Sequence, residues 1–239
     1  MLHNKLSRLT SISFIKTVYA NIKYYYIPSI KNKRFSVIRN LLSIKTCLPI
    51  IVFRGGGKIT VLGKGEITFP NQIKSGLLKI GINSVPFCGH DTLLEISGRM
   101  EVCDKVSIGR GSYVSVAEDA ILRYKGHFCS SGNDRIICDK YIEFGDSCML
   151  SWDVLIMDTD LHNITNQAGV VLNPNKPVII GANVWIGAKC TILKGTTVAK
   201  NVIIAANTLV TGTIEKSNTI IASSHSKKEL SQFYKWGGA

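Results

Sequence analysis

Along the chain an aliphatic residue returns at every sixth position, and Ile180, Ile186, Ile192, Val198, Ile204 and Val210 form one unbroken series. A small residue usually follows each of them: Gly181, Gly187, Ala199, Ala205, Thr211. The same spacing returns in Ile96, Val102, Ile108 and Val114, and again in Ile136, Ile142, Cys148 and Val154. A period of six suits neither an amphipathic helix nor a strand that alternates at two. It suits short flat strands joined by tight corners, with each aliphatic side chain stacked on its equivalent one coil away. The pattern therefore predicts an all-β solenoid. Small residues leave room at the corners, and Asn183, Asn201 and Asn207 tolerate the positive φ that such corners need. The spacing does not fix the handedness of the coil.

Three regions follow: an extension over 1–54, the solenoid over 55–222 and a tail over 223–239. In the first, Leu2, Leu6, Leu9, Ile12 and Ile15 stand at helical spacing among Lys5, Arg8 and Lys16, which predicts an amphipathic helix. Tyr24, Tyr25 and Tyr26, then Lys31, Lys33, Arg34 and Arg39, continue its basic and aromatic character. This segment either covers the open end of the solenoid, the preferred reading, or lies on an anionic membrane. Gly55, Gly56 and Gly57 lack the spacing of a phosphate loop and read as a turn. Residues 59–82 read as imperfect early coils with glycine turns. Two stretches, Ala120 to Arg135 and Met157 to Ile179, interrupt the regular blocks, and the Pro- and Asn-rich core of the second, Gln167 to Pro177, is expected to leave the solenoid as a loop.

At 239 residues the chain suffices for one solenoid domain with extensions. No apolar run near the N-terminus approaches the roughly 18 residues of a membrane span, and the first 20 residues carry no secretory core, so a cytoplasmic protein is expected. Seven scattered cysteines form no CxxC pair; Cys103, Cys138, Cys148 and Cys190 fall within repeats and read as reduced packing residues. The formal charge of +13 implies an anionic partner, but no nucleic-acid-binding motif accompanies it. The histidines lack ligand spacing, and no metal site is expected.

Histidine and carboxylates cluster in one place, Met157-Asp158-Thr159-Asp160-Leu161-His162-Asn163, directly before the expected loop. An imidazole at a coil-to-loop junction is exposed enough to take a proton near neutral pH. Asp160, and less so Asp158, either orients that ring or binds acceptor hydroxyls.

The repeat, this Asp-x-Asp-x-His segment, the loop and the run Pro177-Val178-Ile179-Ile180-Gly181-Ala182-Asn183-Val184-Trp185-Ile186-Gly187-Ala188 together resemble the hexapeptide-repeat acyltransferases. Within them the chain is most similar to sugar O-acetyltransferases of the maltose and galactoside type and to those of surface-polysaccharide biosynthesis. The resemblance implies a left-handed parallel β-helix, a homotrimer, and acetyl-CoA held between neighbouring subunits. It makes His162 the general base for direct acetyl transfer, without a protein nucleophile, to a sugar hydroxyl on a capsule, O-antigen or exopolysaccharide precursor, lipid-linked precursors included. Trp185 matches a tryptophan beside acceptor and thioester, and Ala188, Ala206 and Thr211 match positions that contact the cofactor. Asn133 falls near an asparagine that contacts the acceptor, although Ser131 holds the aligned position. Where relatives run into a Gly-Asn-Pro-Ala turn, this chain has Ala222-Ser223-Ser224-His225-Ser226, followed by Lys227 and Lys228, which suit CoA phosphates. Two other readings stand beside this one: an N-acetyltransferase acting on an amino sugar or antibiotic, and a non-catalytic glycan-binding solenoid.

Overall fold

A period of six with one inward aliphatic residue divides the chain into strand-and-corner units, and the structure places three of them in each coil. The computed structural model describes residues 50–52, 59–70, 76–82, 91–222 and 228–229. The expected amphipathic helix, the Gly55 to Gly57 turn and Lys227 lie outside the described residues. Among the described residues the regular elements are strands, arranged in three sheets of nine, seven and seven, here called A, B and C. Each coil lays one strand in A, the next in B and the third in C. Thus Cys148–Trp152 lies in A, Leu155–Met157 in B and Val178–Ile180 in C; Trp185–Ile186, Thr191–Ile192 and Thr197–Val198 repeat that order one coil higher. Neighbouring strands are parallel, with Ile186 under Ile204 and Ile156 under Ile192 and Val210. The final pair is antiparallel, Thr219–Ile221 with Lys228–Glu229. The chain is a left-handed parallel β-helix of triangular section. Strands Ile50–Val52 and Lys228–Glu229 join sheet A from stretches assigned on sequence to the extension and the tail.

The repeat positions form the core as expected. All of them in the three blocks point inward, and none exceeds 4% exposure. A Cβ on Gly187 would stand 2.6 Å from the Ala206 nitrogen and 2.8 Å from the Ile204 carbonyl oxygen, which explains the glycine after Ile186. Asn183, Asn201 and Asn207 take φ of 57°, 59° and 59° at their corners.

One expectation fails. Ala120 to Arg135 does not interrupt the coil: Ile121–Tyr124 pairs within sheet C and Phe128–Gly132 within sheet A. Its inward positions are Leu122, Tyr124, Phe128 and Ser130, so aromatic rings and a hydroxyl stand where an aliphatic period was sought. Tyr124, Phe128 and Phe144 pack with ring centroids 4.6 to 5.3 Å apart. Cys138, Cys148 and Cys190 are buried, with thiols donating to the carbonyls of Ile121, Gly181 and Ala205, whereas Cys103 is exposed rather than packed.

The outer faces differ. Sheet A turns Met149, Trp185, Ile203 and Ile220 outward, and sheet B does so with Ile137, Leu155, Met157 and Leu209. Sheet C carries an ion-pair ladder in which Arg123 joins Glu101 and Glu143, Arg99 joins Glu66, and Lys125 joins Glu143.

At the corner after Phe128–Gly132, Asp134 is 1% exposed; its Oδ1 accepts from the Val154 N–H at 2.9 Å and its Oδ2 has no hydrogen-bond partner among the described residues. Burial lifts its carboxyl to about 7, against the lowering effect of its hydrogen bonds. Because the folded value lies above the unfolded one, ionisation opposes folding, and stability falls as pH rises from about 4 through about 7. Asp134→Asn is expected to abolish that fall. Melting temperatures of both proteins at about pH 5 and about pH 8 check it: the variant gains on the wild type at the higher pH, and an equal difference at both values refutes the assignment.

Candidate functional site

The insertion leaves the coil at the corner between sheets B and C, after Leu155–Met157, and returns at Val178–Ile180. It folds as a finger. Thr165 and Val171 form an antiparallel bridge, the Leu172 N–H donates to the Ile164 carbonyl at 2.7 Å, and Asn166 Oδ1 accepts from the Ala168 and Val170 N–H groups at the tip. Apolar residues coat it: Leu161, Ile164, Val170 and Leu172 are each 57 to 60% exposed.

His162 stands exposed at the finger's root. Its imidazole receives no hydrogen bond from the described residues, whereas its carbonyl accepts from Asn173 Nδ2 at 2.8 Å. The preceding Leu161 has φ of 61°, strained for a branched apolar residue, and its N–H donates to Thr159 Oγ1 at 3.0 Å. The backbone therefore fixes the direction in which this side chain leaves the chain.

The two aspartates before it have separate roles. Asp158, expected to meet acceptor or histidine, is fully buried. Its carboxylate accepts from the N–H groups of Asp139, Lys140 and Tyr141 at 2.7, 2.8 and 2.6 Å, closing the corner of the coil beneath. Burial lifts its carboxyl above the usual range, and those three donors pull the other way. With no exposed face, it has nothing to offer a sugar hydroxyl, so its role is structural. Asp160 is exposed, but its Oδ2 pairs with Lys194 Nζ and accepts from Asn173 Nδ2 at 2.8 Å rather than meeting the imidazole. Lys194, then Asn173, holds its carboxyl below the usual range.

Sequence reasoning passed over Asn173 and Lys194. Asn173 Oδ1 accepts from the Ile164 N–H at 2.6 Å while its Nδ2 serves Asp160 and His162, so one amide ties both ends of the finger. Lys194, from the same corner one coil higher, also donates to the Asn173 carbonyl at 2.7 Å. A proline-flanked Asn was a visible signal; nothing in the sequence pairs Lys194 with Asp160.

The remaining candidates flank sheet B or lie beyond it. Thr211 is exposed at the B–C corner two coils above His162, about 10 Å at normal strand spacing. Ala188 and Ala206 stack at the A–B corner, the Ala188 carbonyl accepting from Asn207 N–H at 2.8 Å. Asn133, with φ of 56°, lies at the A–B corner of a lower coil. Trp185 lies on the outer face of sheet A, its Nε1 donating to Ser151 Oγ at 3.0 Å. Face A lies opposite the B–C corner of the triangle, so within one chain Trp185 and His162 do not meet.

Residues 177–212 match the family model of the bacterial transferase hexapeptide, six repeats. The chain is 33% identical over 140 residues to the polysialic acid O-acetyltransferase of Neisseria meningitidis, covering 58% of this chain and 60% of that protein. It is 29% identical over 164 residues to a probable acetyltransferase of Mycobacterium tuberculosis, covering 66% of this chain and 44% of that one. The chain thus spans about three fifths or less of the lengths of these two relatives. The solved polysialic acid O-acetyltransferase OatWY shares the fold, with a TM-score of 0.53 at 23% identity over 76% of this chain and 92% of its own.

The contrast between the two aspartates is testable in the purified protein. Asp158→Asn places an amide against three N–H donors and is expected to cost about 1–3 kcal/mol, read as a clear fall in melting temperature. Asp160→Asn is expected to leave the melting temperature unchanged. Equal effects from the two substitutions would contradict their different environments.

Proposed function

We propose that this chain, a hexapeptide-repeat transferase by its repeat and its fold, is an O-acetyltransferase that moves the acetyl group of acetyl-CoA onto a sugar hydroxyl of an acidic surface polysaccharide. The observation that carries the reading is the exposed His162 at the root of the finger, on a scaffold 33% identical over 140 residues to a polysialic acid O-acetyltransferase. The formal charge of +13 suits a polyanionic acceptor.

In this reading the imidazole of His162 takes the proton of the acceptor hydroxyl as its oxygen attacks the thioester carbonyl. The carbon–sulfur bond breaks, CoA leaves as thiolate, and the proton on the imidazole returns to it. The acetyl group passes directly between the two substrates, so catalysis rests on alignment and on the base. Face B, flanked by Ala188, Ala206 and Thr211, offers the donor a track that ends at the corner bearing His162. Asp160 acts on the loop rather than on the ring, and Lys227 is left as a candidate for the CoA phosphates.

A site that uses both His162 and Trp185 takes them from two copies, since one chain holds them on opposite sides. The outward apolar residues of faces A and B, against the ion-paired face C, support a trimer in which A of one copy packs on B of the next. The protein acts in the cytoplasm in this reading; among the described residues no helix is long and apolar enough to cross a membrane.

Calorimetric titration with acetyl-CoA is expected to give saturable binding near one molecule per chain. His162→Ala should keep that binding and lose about 10²- to 10⁴-fold in turnover with polysialic acid as first acceptor. Absence of CoA binding would favour a glycan-binding solenoid, and acetylation of amines alone would favour the N-acetyltransferase.

A further inference from the structure

We infer that Asn173 and Lys194, acting through Asp160, are positioning residues that lock the finger and thereby aim His162. The inference rests on His162 being the base, as proposed above, but its structural half stands independently. Three observations carry it. The imidazole has no hydrogen bond from the described residues, so what the protein fixes is the point and direction in which the side chain leaves the backbone. That backbone is held from two sides: Leu161 in the left-handed region, turned back onto Thr159, and the His162 carbonyl on Asn173 Nδ2. The amide of Asn173 is fully committed, with Ile164 N–H on its oxygen and Asp160 and His162 on its nitrogen, so it cross-links residues nine to thirteen positions earlier in the chain.

Lys194 closes the device. Its side chain is only 17% exposed although it ends in a cation, and its Nζ donates to both Asp160 and the Asn173 carbonyl. It comes from the coil above, where the corner is fixed by the Gly195 N–H on the carbonyls of Lys176 and Pro177 at 3.2 and 3.1 Å. Lys194 therefore couples the finger to the coil above, while Asn175, with its Nδ2 on Asp139 Oδ2 at 2.6 Å and its carbonyl accepting from Lys140 Nζ at 3.4 Å, ties the end of the insertion to the coil beneath. The charge matters: a neutral side chain of similar length would fill the space without holding a carboxylate and a carbonyl together. Exposed apolar residues on the finger give it no packing within its own chain to replace this lock.

The test compares wild type, Asn173→Ala, Lys194→Met and Lys194→Arg in the full chain. Hydrogen exchange is followed on peptides from 158–177 and from the coils, and acetyl transfer from acetyl-CoA to polysialic acid is followed in parallel. Asn173→Ala and Lys194→Met are expected to speed exchange in the finger about tenfold and leave the coils unchanged. Turnover should fall about 10- to 100-fold at an unchanged KM for acetyl-CoA, the mark of a misaligned base rather than a lost donor contact. Lys194→Arg, which keeps the charge and two donors, should recover most of both signals. Unchanged exchange in the finger overturns the lock, and exchange rising equally in all coils shows a general structural role instead. Faster exchange in the finger with normal turnover overturns the link to catalysis. A wild type that transfers to neither polysialic acid nor other sugars defeats the proposed function, and the lock is then decided by exchange alone.

Discussion

In-register stacking of parallel strands is the constraint on which the molecule depends. With Ile186 under Ile204 and Ile156 under Ile192, these inward residues see the same residue class in the adjoining coil, and each corner must repeat its neighbour's path. A strand slipped by one residue would turn the apolar set outward, so the register is fixed by burial itself. Corners that repeat at the spacing of two strands leave no room for a Cβ at positions such as Gly187, and they demand positive φ at positions such as Asn201. The sequence period is the one-dimensional trace of this three-dimensional repetition.

The same regularity explains why the candidate chemistry stands off the coil. Outward side chains on a strand of two to five residues point straight away from a flat face, and the corners are occupied by hydrogen bonds to the coils on either side. An insertion escapes that pattern but loses its support. Asp158 and Asp160 show the transition over three residues: the first still belongs to the coil, its carboxylate filled by the N–H groups of the corner beneath, while the second already faces solvent and meets Lys194. Leu161, in a backbone region that branched apolar residues avoid, marks the point where the chain turns away.

Legibility in the sequence followed the same division. The upper coils were readable because Ile or Val recurs without exception at every sixth position from Ile180 to Val210, and the finger was readable from its prolines and asparagines. The coil at Ala120 to Arg135 was missed because Tyr124 and Phe128 fill the interior there, and a search for aliphatic residues passes over rings. His162 was found by local clustering. The fate of its neighbours was not, because whether a carboxylate is buried depends on what lies one coil away: Tyr141 is 17 residues from Asp158, and Lys194 is 34 from Asp160. Contacts at those separations leave no mark in a short motif.

The distribution of charge over the three faces bears on how such a solenoid works. A charge ladder on face C is satisfied by its own members, Arg123 between Glu101 and Glu143, and it needs no partner. Faces A and B are not self-sufficient, since Met149, Trp185 and Ile203 on one and Ile137, Leu155 and Met157 on the other leave apolar surface turned outward. A contact of face A on face B of a second copy would cover both apolar sets, whereas a like-with-like contact would leave one of them uncovered. The finger rises from the corner between B and C, beside one of those faces and opposite the other. If assembly brings face A of a second copy to that corner, it brings Trp185 with it, and His162, proposed above as the base, then meets a surface that its own chain does not provide.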